Sequence, residues 1–341
     1  MRVLMPGRIL DRHVGGNTTY ARALARGLRA RGSTVDSMSF HDSAPMTMVS
    51  ETLHGLSKTD AVLHYVADTG PLVRTRTPSV VTVHGIASRW IDGVRSGRQE
   101  KIWRTRVGRA LASTDAAVTV SESSAEDIAE VFGIELADIH VVPHGIDADV
   151  FAEPVSLSDE VRSRIPDDYL LYVGNIEPRK NLVALVEAMS RPDVRALGLP
   201  LVVAGKPAWN FEESMEAIEK SPNVIHLGFV SDDDRRALMQ RAALFVFPSR
   251  YEGFGFPVLE AMAAGAPVLT SDRGALRDIA GPALVLGDID ADAIADGIIG
   301  AAQDSEWRAA APARGRLWAS SFTWDMSVDA HIAVYEKVVS S

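Results

Sequence analysis

The chain has 341 residues, of which 46% are hydrophobic and 23% are charged, and its formal net charge is −10. This length predicts two domains, and the composition is that of a globular protein with a substantial core. The acidic balance argues against a general nucleic-acid binder. The lack of cysteine excludes disulfides, thiolate zinc sites and a cysteine nucleophile.

Short segments rich in Val, Ile and Leu recur along both halves of the chain. Most do not alternate strictly between polar and apolar residues, which is typical of strands buried on both faces of a parallel sheet. In the first half these predicted strands are 3–6, 34–40, 61–66, 79–84, 116–120 and 139–143. In the second half they are 169–174, 201–205, 224–229, 244–248, 267–270 and 283–286.

The segments between these strands carry helical signals. Within 18–31, Tyr20, Leu24 and Leu28 share one helix face. The segment 123–126 has the spacing of a capping box, and Ser231 before three aspartates predicts another helix start. Residues 323–339 predict a final amphipathic helix. Strands that alternate with helices indicate βαβ units.

Each half predicts about six strands, so we expect an α/β protein with two Rossmann-like doubly wound domains that face each other across a cleft. Prolines and small polar residues interrupt the pattern after residue 151. We therefore assign 1–151 to an N-terminal domain and 152–322 to a C-terminal domain. The helix 323–341 is expected to pack back on the first domain. Ligands of such sheets bind outside the carboxyl ends of the strands.

One candidate segment runs from Pro248 to Glu260, where a glycine-rich loop joins a strand to a helix. Glycines allow close backbone approach to a ligand, and the amides of a helix start favour phosphate. Glu252 in the loop can accept hydrogen bonds from sugar hydroxyls. Glu260 lies about two turns inside the helix and needs a polar partner such as a ribose. The alternative is that both are solvated surface acids.

A second candidate segment, 172–181, also follows a predicted strand. Arg179 offers a planar fork and Lys180 a point charge, which suit a diphosphate and can offset charge on a departing one. The alternative is a pair of solvated cations, which the dipole of a helix start disfavours.

Together these segments resemble the retaining GT-B glycosyltransferases of family 4, also called glycosyl transferases group 1. Their two glutamates, separated by seven residues, are present as Glu252 and Glu260, and the Gly-x-x-x-x-Arg-Lys-Asn element spans 174–181. Further matches are Val83-His84, Val120-Ser121-Glu122, Pro143-His144-Gly145 and Ala204-Gly205. The resemblance thus extends over nearly the whole chain.

The resemblance implies that the N-terminal domain, 1–151, binds the acceptor and that the C-terminal domain, 152–322, binds the nucleotide sugar. It also implies roles for particular residues. Those expected at the reaction centre are Arg179 and Lys180 on the diphosphate, and Glu252 and His84 on the donor sugar. Those expected around the donor are Gly15, Gly16, Gly174, Ser249, Gly253, Phe254, Gly255, Glu260 and Phe229. The sequence reads Val-His-Gly where many relatives have Val-His-Asp, which weakens any base role near His84. Gly15-Gly16 is not a dinucleotide fingerprint, and a plain turn is its alternative.

No cofactor and no metal is expected. The Asp-x-Asp pairs 147–149 and 288–290 match the spelling of metal-dependent transferases, but such pairs arise often by chance in an acidic chain. Residues 98–111 combine basic side chains with Ile102 and Trp103, which predicts a membrane-surface helix, an anionic-acceptor site or a solvated helix face. No apolar run approaches the roughly 18 residues that span a bilayer. We expect a cytoplasmic protein, either soluble or peripheral at the inner face of the membrane.

We predict a retaining, metal-independent transferase that moves a hexose-type sugar from a nucleotide-diphosphate donor to a glycan, lipid-linked or small-molecule acceptor. Pro178 before Arg179 is reminiscent of mannosyl- and rhamnosyltransferases of surface polysaccharide synthesis. The alternatives are a nucleotide-sugar epimerase, which needs no acceptor, a sugar phosphorylase, which needs a longer chain and a pyridoxal lysine, and a noncatalytic sugar-nucleotide-binding protein.

Overall fold

The computed structural model describes residues 1–11 and 15–340, without the side chain of residue 44. It divides into two compact units: unit 1 is Met1–Gly145 with Phe322–Ser341, and unit 2 is Ile146–Ser321. The division falls before the boundary at 151 that the sequence suggests. The physical reason is that residues 148–152 pack within unit 2, where Phe151 is buried and its carbonyl accepts a hydrogen bond of 2.8 Å from Gln240 Nε2.

In the described part of unit 1, six parallel strands form one sheet in the order β2-β1-β3-β4-β5-β6. The strands are β1 (Arg2–Pro6), β2 (Thr34–Met38), β3 (Ala61–Tyr65), β4 (Ser79–Val83), β5 (Ala116–Thr119) and β6 (Ile139–Val141). The helices are α1 (Gly7–Leu10), α2 (Gly16–Ala30), α3 (Ala44–Leu56), α4 (Gly97–Ser113), α5 (Glu122–Phe132) and the C-terminal helix (Trp324–Ser340), with 3-10 turns at Ala87–Arg89 and Leu136–Asp138.

The C-terminal helix packs on α2, whose buried face carries Tyr20, Leu24 and Leu28 as the spacing predicts. The two helices approach closely because Gly27 has no side chain. A Cβ added there would lie 2.5 Å from a methyl group of Val328. The sequence pattern therefore placed the buried face of α2 correctly.

A chain of buried polar side chains crosses the core of unit 1. His331 Nδ1 lies 2.7 Å from the carbonyl of Ser327, which can only accept, so neutral His331 takes up the hydroxyl hydrogen of Tyr20 at Nε2, 2.7 Å away. Tyr20 bonds Thr82, which bonds His64, whose other ring nitrogen lies 2.6 Å from the Tyr335 hydroxyl. Burial lowers the pKa of His331 to about 4 and holds the pKa of His64 well below its usual range. These histidines are structural. The sequence around each residue did not predict that these side chains form one series of hydrogen bonds.

In the described part of unit 2, six parallel strands form a second sheet in the order β12-β11-β10-β7-β8-β9. The strands are β7 (Leu170–Val173), β8 (Leu201–Ala204), β9 (Val224–Gly228), β10 (Leu244–Phe247), β11 (Val268–Thr270) and β12 (Leu284–Val285). The helices are α6 (Ala148–Ala152), α7 (Asp159–Arg162), α8 (Leu182–Ala188), α9 (Pro192–Arg195), α10 (Glu212–Lys220), α11 (Asp232–Arg241), α12 (Phe256–Ala264), α13 (Leu276–Ile279), α14 (Ala291–Gln303) and α15 (Ser305–Ala319), with a 3-10 turn at Pro178–Lys180.

The predicted doubly wound sheets are confirmed, and each predicted strand overlaps one strand of the described structure. Ser231 caps α11 as predicted, since its hydroxyl accepts from the Asp234 amide at 3.0 Å. The predicted cap at Ser123 is wrong. Ser121, with extended backbone, caps α5 through the Ser124 amide, and Ser123 already lies inside the helix. Within residues 1–11 and 15–340, no helix has the length and apolar character needed to cross a bilayer.

Candidate functional site

Two loops of unit 2 meet because the strands before them are neighbours. Strands β7 and β10 pair in parallel, with Leu170 opposite Leu244. Their carboxyl ends therefore open at the same edge of the sheet, and the loops 174–181 and 248–255 come together there. The Arg250 amide donates to the Arg179 carbonyl at 2.8 Å, which fastens one loop to the other.

A buried group of four charged side chains lies at this edge. Lys180 Nζ donates to Glu252 Oε1 and Arg179 Nη1 donates to Glu252 Oε2, each at 2.6 Å. Arg179 also holds Glu177 Oε1 through Nη2 at 2.6 Å. We call Glu177, Arg179, Lys180 and Glu252 the ion cluster. Two cations and two carboxylates balance in charge, which makes their joint burial tolerable.

In the ion cluster, the neighbouring positive charges outweigh the effect of burial on the pKa of Glu252. Burial alone would raise the pKa of Glu252, but the charges of Arg179 and Lys180 lower this pKa to about 2. Burial and the neighbouring Arg179 charge lower the pKa of Lys180, against the attraction of Glu252. Burial would also lower the pKa of Arg179, yet the carboxylates of Glu252 and Glu177 raise it. Glu252 is therefore ionised throughout the physiological range.

Ser249 holds the ion cluster in place from within the loop. Its hydroxyl lies 2.6 Å from Glu252 Oε1, and its side chain is fully buried. The Ser249 carbonyl in turn accepts from the Ser271 hydroxyl at 2.6 Å, so the loop is tied to the residue that follows β11. The structure thus brings together four of the predicted site residues, namely Ser249, Arg179, Lys180 and Glu252.

Glu177 is a member of the ion cluster that sequence reasoning did not single out. It is only 5% exposed and binds Arg179 through both Nε and Nη2. The signal was present in the sequence, because a glutamate two residues before an arginine in a loop can orient that guanidinium. The charge of the ion cluster depends on this carboxylate as much as on Glu252.

Glycine is required at two places beside the ion cluster. A Cβ on Gly205 would lie 1.8 Å from the Gly174 carbonyl oxygen, so the loops after β7 and β8 touch through backbone alone. Gly255 has φ +99° and directly precedes α12, so this helix starts at the end of the loop that holds Glu252. Gly253 and Phe254 lie in the same loop, and Phe254 packs edge-on against Phe256 at 5.0 Å. This is the helix mouth at which phosphate binding is predicted.

Glu260 is bound by a cation of its own unit. Arg235 Nη1, on α11, donates to Glu260 Oε2 at 2.5 Å, and the glutamate side chain is 13% exposed. Burial raises the pKa of Glu260, and Arg235 partly offsets this effect. Glu260 is therefore a buried acid with a partner, and the surface-acid alternative is excluded. Sequence reasoning missed Arg235 because its contact with Glu260 arises from the packing of α11 against α12.

Phe229 is the exposed member of the predicted donor residues. It follows β9 and is 68% exposed, with Lys206 Nζ lying 4.1 Å from its ring centre. Lys206 follows the neighbouring strand β8, so this pair also lies at the carboxyl edge of the sheet. An exposed aromatic ring with a cation above it provides a flat apolar surface.

Unit 1 holds the remaining predicted residues. Gly15, with φ +123°, caps α2, and its carbonyl accepts from the Thr18 amide at 3.0 Å. Gly16 is the first residue of that helix. His84 follows β4, and its Nε2 lies 2.8 Å from the Val66 carbonyl while its amide donates to Asp68 Oδ1 at 2.8 Å. Asp68 stands near the histidine although the sequence reads Val-His-Gly, because it follows the neighbouring strand β3.

The Asp-x-Asp pairs have structural partners. Asp290 caps α14 by accepting from the Ala293 amide at 2.8 Å, and Asp288 accepts from the Ile289 amide at 2.7 Å. Asp147 precedes α6 and its carbonyl accepts from the Val150 amide. These contacts are local, because each aspartate binds an amide within the turn or helix start where it lies.

The basic segment 98–111 is the larger part of α4. Its exposed side chains include Ile102, Arg104 and Arg109, and Arg104 pairs with Glu100 at 2.6 Å. Trp103 is covered by the guanidinium of Arg95, 4.2 Å from the ring. Arg106 differs from its neighbours because it turns toward the sheet, where burial and the charge of Arg8 lower its pKa.

The fold has close counterparts among solved structures. The structure of Anabaena Alr3699/HepE in complex with UDP and glucose matches 100% of this chain and 100% of its own, with a TM-score of 0.73 and 15% sequence identity. Two parallel sheets of this topology, with a glycine-lined helix mouth after a strand of the second, define the GT-B class of glycosyltransferase folds.

Sequence comparison gives the family. The family of glycosyl transferases group 1 matches residues 158–318, and glycosyltransferase family 4 matches residues 58–150, so the chain belongs to this family through both of its units. O-antigen chain mannosyltransferase B of Escherichia coli is 38% identical over 49% of this chain and 45% of its own length. MMP alpha-(1->4)-mannosyltransferase of Mycolicibacterium hassiacum is 32% identical over 65% of this chain and 54% of its own length. The chain thus spans about half the length of these curated relatives.

Proposed function

We propose that this chain transfers a sugar, with retention of anomeric configuration, from a nucleotide-diphosphate donor bound in unit 2 to a glycan, lipid-linked or small-molecule acceptor bound in unit 1. The observation that carries the proposal is the ion cluster, in which two cations and two carboxylates lie at the carboxyl ends of β7 and β10, in loops near the start of α12. This is where doubly wound sheets bind their ligands.

The ion cluster keeps hydrogen-bonding capacity for a donor. An ammonium has three donors, and Lys180 gives one to Glu252, so two can serve phosphate oxygens. Glu177 holds the Arg179 guanidinium in one orientation, so donor binding does not have to order this side chain. The positive end of the α12 dipole lies at the end of the same loop. Together these groups suit a pyrophosphate better than any neutral ligand.

Glu252 also keeps one hydrogen-bond acceptor site for a donor. A carboxylate offers about four acceptor sites, and three of them accept from Lys180, Ser249 and Arg179. The remaining site on Oε2 can accept from a hydroxyl of the donor sugar. Glu260, held by Arg235, accepts from the ribose, and the ring of Phe229 lies beside the base.

The proposed reaction takes place on one face of the donor sugar. The bond from the anomeric carbon to the phosphate oxygen breaks, and the bond to the acceptor oxygen forms on the same face. The acceptor proton passes to the departing phosphate oxygen. Arg179 and Lys180 stabilise the negative charge that develops on the diphosphate. In other transferases a metal ion has this role. We therefore propose that no metal is needed.

The relatives support a mannosyl donor and a role in polysaccharide synthesis. Both curated relatives reported above are named as mannosyltransferases, and one acts on an O-antigen chain. The solved neighbour was crystallised with UDP and glucose, which supports a nucleotide sugar as donor without fixing the base. No relative reported above is named as an epimerase.

Peripheral contact with the cytoplasmic face of a membrane is a further part of this proposal, supported by α4. Its exposed face carries Ile102 among basic side chains, including Lys101 and Arg109. Sedimentation with vesicles that contain anionic lipid tests this contact, and Ile102→Glu should reduce binding. Equal sedimentation of both proteins would remove membrane contact from the function.

Donor binding and transfer test the main proposal. Thermal unfolding of the purified protein should shift upward with one of UDP-glucose, GDP-mannose, ADP-glucose or dTDP-rhamnose, because a ligand of the folded state raises stability as ln(1 + [L]/Kd). With that donor and EDTA, mass spectrometry should detect transfer or slow donor hydrolysis. Binding without either reaction would identify a noncatalytic sensor, and conversion of the donor sugar alone would identify an epimerase.

A further inference from the structure

A cavity of about 260 Å³ opens in unit 1 at the carboxyl ends of β1 and β2. Arg8, which follows β1, and Asp42, which follows β2, lie on its wall together with Glu51 of α3 and Arg106 of α4. It belongs to the sheet edge at which doubly wound domains bind ligands. No residue predicted from the sequence as a donor contact lines it.

Arg8 and Glu51 form the fixed part of this cavity. Arg8 Nε donates to Glu51 Oε1 at 2.7 Å, and its Nη2 donates to the Thr69 hydroxyl at 2.8 Å. Glu51 is only 1% exposed, although it carries a charge. A buried carboxylate is expected to use both of its oxygens, since an unsatisfied buried acceptor costs about 1–3 kcal/mol.

Two residues that line the cavity each have a buried polar atom without a hydrogen-bond partner among the described residues. One such atom is Glu51 Oε2, which can only accept, and the other is Arg106 Nε, which can only donate. Both atoms are buried. A ligand group that both donates and accepts hydrogen bonds can pair with the Glu51 oxygen and with the Arg106 nitrogen.

A sugar hydroxyl has this property without any charge, whereas a fully ionised phosphate can only accept. A phosphate would satisfy the two guanidiniums but would face the Oε2 oxygen of Glu51 and the carboxylate of Asp42 with like charge. The volume of about 260 Å³ lies just below the roughly 300–1,000 Å³ of drug-sized ligand sites. The cavity therefore suits one sugar ring better than an extended chain.

We propose that this cavity binds a sugar ring of the acceptor, with Glu51 Oε2 accepting from one hydroxyl and Arg106 donating to a hydroxyl oxygen. The inference rests on the proposed transferase function for its biological meaning. It names a saccharide, rather than a bare lipid or a phosphate group, as the part of the acceptor that unit 1 recognises.

Ligand-detected NMR tests sugar binding directly, with methyl α-D-mannopyranoside and methyl α-D-glucopyranoside as probes. The wild-type protein should bind at least one of them, and Glu51→Gln and Arg106→Gln should each weaken binding at least tenfold. Glu51→Gln places a donor where the hydroxyl needs an acceptor. Arg104→Gln is the matched control, because Arg104 lies on the same helix, pairs with Glu100 and does not line the cavity.

Several outcomes would overturn this inference. The first is that the wild type binds neither sugar at high millimolar concentration. The second is that Glu51→Gln, with a native melting curve, binds the sugar as the wild type does. The third is that the protein binds inorganic phosphate, and that Arg106→Gln abolishes this binding while Glu51→Gln improves it. The last outcome would identify an anion site. Arg106→Gln removes a buried cation without a partner at Nε, so it should fold even if Glu51→Gln does not.

Kinetics separate this inference from the proposed function. With an active donor and acceptor, the cavity variants should raise the acceptor KM at least tenfold while the donor KM and slow donor hydrolysis stay at wild-type values. If the wild type binds the sugar probe but never uses a donor, the transferase proposal fails alone. If transfer proceeds and the acceptor KM is unchanged in both variants, the cavity proposal fails alone.

Discussion

Lys180 Nζ lies 2.6 Å from Glu252 Oε1, and the two residues are 72 positions apart in the sequence and each only 6% exposed. This contact joins the loop after β7 to the loop after β10. It holds the two loops of the proposed donor site together, because Lys180 would be buried without its carboxylate partner if it left Glu252. The same residues therefore contribute to stability and to the proposed chemistry.

We expect Lys180→Met to lower both stability and turnover. Removal of one partner of a buried ion pair costs about 3–5 kcal/mol, and the lower end applies here because Arg179 still holds Glu252. Combined with Glu252→Gln, the loss in unfolding free energy should be smaller than the sum of the single losses by about 0.5–3 kcal/mol. Chemical denaturation measures this coupling.

Turnover should fall at least a hundredfold in both single variants and should not recover in the double variant. Lys220→Met, which removes an exposed lysine paired with Glu216, is the control and should stay within about 0.5 kcal/mol of wild type. Strict additivity of the two losses would show that Lys180 and Glu252 do not interact in solution.

Glu252 should make unit 2 sensitive to acid. Its pKa is lowered from 4.5 to about 2 in the folded protein, which corresponds to about 3 kcal/mol at most. Because the folded-state pKa is the lower one, this stability is complete above about pH 5 and is lost as the pH falls toward 2. Denaturation between pH 5 and 3 should show a smaller loss in Glu252→Gln, and an identical slope would contradict the assignment.

His331 should make unit 1 lose stability at higher pH than unit 2. Burial lowers its pKa from 6.5 to about 4, so the unfolded chain binds a proton that the folded chain refuses between these values. The stability it supports is complete above pH 6.5 and declines toward pH 4. Near-UV circular dichroism should follow this loss, and His331→Gln should reduce it, because an amide can still bond Tyr20 and Ser327. Part of the loss should remain, because burial also lowers the pKa values of His64 and His144. His54→Gln, on α3, controls for the loss of one histidine.

The pair of Arg235 and Glu260 should set donor affinity. Without Arg235, the burial that raises the Glu260 pKa acts unopposed, and more of this carboxyl is protonated at a given pH. We expect Arg235→Met to raise the donor KM about tenfold, most strongly below pH 6, with a smaller change in kcat. Glu260→Gln should remove the pH dependence of this effect. A donor KM that is independent of pH in Arg235→Met would exclude this role.

Gly205→Ala should disturb the donor site through the backbone. The added Cβ would lie 1.8 Å from the Gly174 oxygen, so the loop that leads to Arg179 must move. We expect a loss of about 3 kcal/mol or more in unfolding free energy and loss of the donor-induced thermal shift. Gly300→Ala on α14, where a Cβ meets nothing within 4 Å, should instead stabilise by about 0.5–1 kcal/mol. Equal behaviour of the two variants would contradict the close approach.

The site could be predicted from the sequence as far as its loops, but not as a set of contacts. The segments 172–181 and 248–260 each follow a buried strand, and parallel strands bring their following loops to one edge. The sequence did not show that Arg179 and Lys180 share Glu252, or that Glu177 and Arg235 complete the two sites. These contacts depend on which strands are neighbours, and β7 pairs with β10 across 70 intervening residues.

The sequence by itself determined the elements, because hydrophobic periodicity, caps and glycines act over a few residues. Twelve strand segments, the buried face of α2 and the cap at Ser231 followed from such local patterns. Only the tertiary structure decided the strand order, the polar chain from Tyr335 to His331 and the partner of each buried charge. A buried charge or ring nitrogen accepts whichever group the packing of distant segments places beside it, and no local pattern records that choice.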